Sequence, residues 1–159
     1  MKQLITLILA LCCSTLALYA QDNCCTSDSV ANSQQSCSFF TGEFVSDETG
    51  LQMHLNLDEE DILIPGMSFL GPTNGYIDGK TNNHVYGVWM LLRFTVEGNK
   101  AKLRFTNDIG SDSQDIVLTR IDDNTIDYKA VGPGVITKVE GGRKLVKIAT
   151  SMTLRRITQ

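Results

Sequence analysis

The sequence predicts an all-β fold, an antiparallel up-and-down meander closing into a barrel of about 8–10 strands, with a β-sandwich as the alternative. Three observations carry this. Apolar and polar residues alternate in short runs, as in Leu51, Met53, Leu55 and Leu57 against Gln52, His54 and Asn56. Turn residues, chiefly Gly, Asp and Asn, separate one run from the next. No stretch of the domain holds a helical period over several turns. Many short strands must also hide their edges, and closure of the sheet does this fully.

In chain order, residues 1–20 stand outside the domain. Lys2 supplies a positive start, Leu4 to Leu11 an apolar core and Tyr19-Ala20-Gln21 a cleavage point, the marks of a signal peptide. The apolar stretch is short for a membrane span, so no transmembrane segment is expected in the mature chain. A lipid anchor needs a small residue before a cysteine, whereas Leu11 precedes Cys12 and Cys12 precedes Cys13. Export to the periplasm or beyond follows, with anchoring to the outer membrane the lesser alternative.

Residues 21–37 read as a flexible leader rich in Ser, Asn and Gln. It holds Cys24, Cys25 and Cys37, all the cysteines left in the mature chain. Adjacent cysteines bridge only with strain, so Cys37 is expected to pair with Cys24 or Cys25, leaving one thiol.

The domain spans residues 38–159. Strands are expected at 39–45 and 51–57, then a short run at 62–64 that Pro65-Gly66 ends. Residues 67–79 are punctuated by glycines and allow one or two short strands. The most regular feature is a hairpin over residues 85–105, turning at Glu97-Gly98-Asn99-Lys100. An unbroken alternation there puts Tyr86, Met90, Leu92, Phe94 and Val96 on the inner face. Phe94 is then opposite Leu103 and Leu92 opposite Phe105. Trp89, Leu91 and Arg93 fall outside, an interaction surface suited to cover by the leader or a neighbouring loop or to self-association, ahead of a foreign protein partner. Arg93 and Arg104 meet on that outer face, where Asp115 on the next strand is placed to relieve them. Further strands are expected at 115–121, 125–131, 144–149 and 152–157, with 135–139 either a strand or a helical turn.

With residues 1–20 removed, 13 bases face 18 acids, an acidic balance that disfavours non-specific nucleic-acid binding. The charge is uneven: residues 38–85 hold eight acids and one base, residues 86–159 eight acids and twelve bases.

Catalytic patterns are weak. The only histidines, His54 and His84, are far apart in sequence, and Ser68 lacks the spacing of a nucleophile elbow. Paired acids at Asp58–Asp61 and Asp122-Asp123 sit in turns, where Asp caps backbone groups. Residues 107–115 hold enough oxygens for a calcium ion but do not fit the helix-flanked loop, so an Asx-rich turn is favoured. No zinc spacing, CxxC motif or cofactor signature is present. A non-enzymatic binding module without cofactor is therefore expected. Its inward set of Phe44, Met53, Leu55, Tyr86, Met90, Phe94, Phe105 and Tyr128 suits one small apolar or amphipathic ligand. The alternative is an interaction or structural protein whose barrel is solidly packed.

The chain resembles the lipocalin-like (calycin-type) small secreted barrels of Bacteroidetes-like bacteria. Gly42-Glu43-Phe44 matches their Gly-x-Trp on the first strand, with Phe in place of Trp, and Leu154-Arg155-Arg156 matches the Arg of the last strand. Gly87-Val88-Trp89, Phe94 and Gly98-Asn99 resemble their middle hairpin. The resemblance implies that the last-strand Arg covers the first-strand aromatic at the closed end of the barrel. It implies no residue-level function.

Overall fold

A computed structural model describes residues 39–79 and 85–157. The expected signal peptide, the expected leader with Cys24, Cys25 and Cys37, and His84 lie outside the described residues. Ten strands form: β1 (Gly42–Val45), β2 (Leu51–Leu55), β3 (Gly75–Gly79), β4 (Trp89–Glu97), β5 (Lys100–Asn107), β6 (Ser113–Arg120), β7 (Thr125–Val131), β8 (Thr137–Glu140), β9 (Lys144–Lys147) and β10 (Ser151–Arg156). Eight of them close an antiparallel barrel in the order β1-β10-β7-β6-β5-β4-β3-β2, and β8 and β9 form a separate two-stranded sheet. The predicted meander is thus present. The segment that read as strand or helical turn is part of a side ribbon inserted before the last barrel strand.

Alternation dictates the core. Phe44, Leu51, Met53, Leu55, Ile77, Leu103, Phe105, Ile116, Leu118, Ile126, Tyr128 and Leu154 are buried and form one cluster. Burying a set of this size is the main force holding a barrel without disulfides in its wall.

The lower end, where β1 starts and β10 finishes, is closed by residues on either side of the wall. Phe39 and Phe40 are helical, and Phe40 is fully buried. The Arg156 guanidinium stands 4.7 Å from the Phe44 ring centre and 5.4 Å from that of Phe39. Its Nη1 donates to the Thr41 carbonyl at 2.7 Å and its Nη2 to the Phe39 carbonyl. Gly42 makes this possible: a Cβ there would come within 2.6 Å of Arg156 Nη1, and its φ of +137° disfavours any side chain. Gly75 is required for the same reason, since a Cβ would meet the His54 carbonyl at 2.5 Å.

The upper end is covered by the 132–150 excursion, which brings Ile136 and Ile148 into the core beside Val85. Buried Gln114 fastens it. Its Nε2 donates to the Val131 carbonyl and its Oε1 accepts from Val135 N–H, each at 3.0 Å.

β4 departs from the expected pairing. Phe94 is opposite Leu103 and Val96 opposite Ala101 as anticipated, but Leu91, not Leu92, faces Phe105. A bulge between Leu91 and Arg93 absorbs Leu92, which is 61% exposed. One extra residue reverses the faces of everything before it. Trp89 and Leu91 therefore point inward and are buried, at 3% and 8% exposure. Met90 pairs with Tyr76 on the outer wall, and Tyr86, before the strand, is 58% exposed. The expected interior places of Tyr86 and Met90 and the expected outer places of Trp89 and Leu91 are corrected accordingly. Arg93 is outside as expected.

Candidate functional site

Of the expected inward set, Phe44, Met53, Leu55, Phe105 and Tyr128 are buried together in the barrel, and Phe94 packs half-buried at its edge. Trp89 joins them in place of Tyr86 and Met90. The signal missed was the identity of the residue itself. Tryptophan offers the largest apolar surface in the chain, and a bulge that brings it inside is favoured over an unbroken alternation that leaves it in water.

Trp89 Nε1 is buried and has no hydrogen-bond partner among the described residues. An indole N–H that loses water without gaining an acceptor costs about 1–3 kcal/mol, so its environment is one that an acceptor would complete. Burial also raises the pKa of the Tyr128 phenol, keeping it neutral. The core thus presents two aromatic polar tips, alongside the buried side chains of Ser46, Thr49, Thr106 and Gln114.

The wall beside Trp89 is thin. The β3–β4 ladder has two pairs, Tyr76 with Met90 and Ile77 with Trp89, because β3 begins at Gly75 while β4 runs on to Glu97. Below this seam Phe94 and Val96 point inward yet are only half-buried.

The outer wall of the described residues carries clefts. One, of about 390 Å³, is lined by Glu43, His54, Asn56, Asp61, Ile62 and Tyr76 among others. Here the His54 ring stacks on Tyr76 with centroids 4.4 Å apart, and its Nδ1 is 3.4 Å from Glu43 Oε1. Burial lowers the His54 pKa while Glu43 pulls it back up; burial raises the Tyr76 pKa, aided by Asp78 and Glu43. The second cleft, of about 470 Å³, lies across β4 to β7. There Arg93 and Arg104 are directly opposite, and Arg104 Nη1 donates to both Asp115 oxygens at 3.2 and 3.3 Å. The anticipated relief by Asp115 is therefore in place.

The oxygen-rich loop after β5 is tied by its own bonds: Asn107 Nδ2 donates to Ser111 Oγ at 2.9 Å and Asp112 N–H to Asn107 Oδ1 at 3.2 Å. Among the described residues no three His, Cys, Asp or Glu side chains form a group able to hold a metal ion, and no helix is long and apolar enough to cross a membrane. No family model, no curated protein and no solved structure matches the chain.

Proposed function

We propose that this chain is a secreted, non-enzymatic, lipocalin-like binding module whose barrel takes one small amphipathic guest. The guest is apolar along most of its length and carries one hydrogen-bond acceptor that meets Trp89 Nε1. The single observation behind this reading is the buried indole N–H, without an acceptor among the described residues, in a largely apolar core. The lipocalin-like assignment is supported by the closed eight-strand meander and by Arg156 lying over Phe44 beside Gly42. The two-pair seam next to Trp89 gives the guest a route that breaks few ladder bonds.

Native mass spectrometry of protein purified from its own host tests this. A retained small molecule is expected on the wild-type chain, and Trp89→Phe, which keeps the ring bulk but removes the donor, should lower its occupancy about tenfold. A native mass equal to the bare chain contradicts the reading.

A second reading, a solidly packed barrel that works through its outer surface, is favoured by the closure of both ends. Phe40 and Arg156 stop one, Ile136 and Ile148 the other. The surface it would use is not the Trp89 face expected from alternation, since that face is interior.

A further inference from the structure

The charge imbalance of the sequence becomes a spatial one in the barrel. Residues 39–79 contain eight acids and no base, and they build β1, β2, β3 and the turns between them. In the closed order, β6 lies four strands from β2 in either direction, so the basic wall of β4 to β7 stands across the barrel from the acidic one.

The acidic side also carries a projection. Between β2 and β3 the chain makes an arm whose base is fixed by the Ile62–Thr73 bridge, with Ile62 N–H to Thr73 carbonyl 3.1 Å and Thr73 N–H to Ile62 carbonyl 2.9 Å. Buried Ile64 anchors it from within. A 3-10 turn, Ser68–Leu70, shapes the tip, with Leu70 N–H donating to the Met67 carbonyl at 3.0 Å. On this fixed frame Asp58, Glu59, Glu60 and Asp61 are exposed, followed by Leu63 at 57% and Phe69 at 82% exposure. An apolar knob held out on a rigid turn behind four carboxylates gains nothing from the fold of its own chain.

The basic wall has the matching shape. Its outer side chains stand in two cross-strand rows, Arg93–Arg104–Asp115–Val131 and Thr95–Lys102–Val117–Lys129. Between the rows Phe94, Leu103 and Ile116 turn inward, which leaves the trough of about 470 Å³. Of its lining cations, Arg104 is paired with Asp115, the one acid lining the trough, and Lys102 Nζ with Glu97 at 3.1 Å, which leaves Arg93 without an ion pair among the described residues, while Val117 and half-exposed Val131 supply apolar contact. No residue of the arm lines this trough, so the knob is not seated in the trough of its own chain.

We propose that the arm of one copy docks into the trough of a second copy of this chain, with Phe69 between the two rows and Asp58 to Asp61 facing Arg93. The knob and trough differ in charge and shape, so the contact is heterologous: each copy uses both surfaces, and association runs head to tail. Complementary fields speed and orient such encounters and weaken with salt.

Sedimentation velocity over a concentration series at low and at high salt tests this. Wild type should associate with rising concentration, more strongly at low salt. Phe69→Ala and Arg93→Glu should each weaken association by about tenfold or more, with melting unchanged because both residues are exposed. Mixing Arg93→Glu with Glu59→Lys/Glu60→Lys should restore a mixed complex, because the first keeps an intact arm and the second an intact trough. A wild type that stays monomeric at low salt overturns the proposal. So does association that ignores either substitution, since that places the contact on another surface.

Discussion

Trp89 fixes which face of β4 is interior. Trp89→Ala removes a large buried side chain and should cost about 3–5 kcal/mol in denaturant unfolding, whereas Trp89→Phe should cost less than about 1.5 kcal/mol. Phe94→Ala, cut from a half-buried position, should fall between them. At the closed end, Arg156→Met keeps the stem but abandons the Phe39 and Thr41 carbonyls and the Phe44 ring. A loss of about 1–3 kcal/mol is expected, again by unfolding. His54 offers a pH test. Burial sets its folded pKa below the ordinary 6.5, so the fold prefers the neutral ring. Above pH 6.5 folded and unfolded rings are both uncharged and the group is neutral in its effect. As pH falls through that value the unfolded chain protonates first, and stability drops until the folded ring protonates as well. Melting temperature should therefore decline over this acid step, and His54→Gln should flatten the decline.

At the scale of the element, the bulge in β4 makes a sharp prediction. Deleting Leu92 leaves Trp89 and Leu91 inside, Arg93 outside and Phe94 inside, now in one regular alternation, so the variant should fold with a melting temperature close to wild type. Deleting Met90 instead turns Trp89 outward and should be severely destabilising. Gln114→Leu unties the 132–150 excursion by removing its bonds to Val131 and Val135, and hydrogen exchange should speed up in β8 and β9 while the barrel strands stay protected. These elements also mark what the sequence makes legible. Clean alternation in β2 and β7 and the Glu97–Lys100 turn in the central hairpin were enough to place those strands, the hairpin register from Arg93 to Lys100 and the closure. The side ribbon was not, because Val135, Ile136 and Val139 satisfy two periods at once. The bulge was not, because a period of two cannot signal its own interruption; Trp89 and Leu91 on the supposed outer face were the only hint. Two of the eight expected lining residues, Tyr86 and Met90, were misplaced by that one extra residue, and both precede it in the chain.

For the whole molecule, the barrel combines an apolar interior closed at both ends with an outer wall divided into acidic and basic sides. Neither property is visible in a single motif: the first arises when alternation is wrapped into a closed sheet, the second when an acidic first third is wrapped opposite a basic remainder. The proposed guest rests on the indole N–H that lacks an acceptor among the described residues, and the chain contains one tryptophan, so its fluorescence reports on that position alone. The most direct measurement compares protein purified natively from its host with the same protein unfolded in guanidinium, extracted with organic solvent and refolded. If Trp89 meets a guest, extraction should release a small molecule seen by mass spectrometry, shift the Trp89 emission and lower the melting temperature; returning the extract should reverse both changes. An empty extract, with emission and melting identical before and after, contradicts the guest.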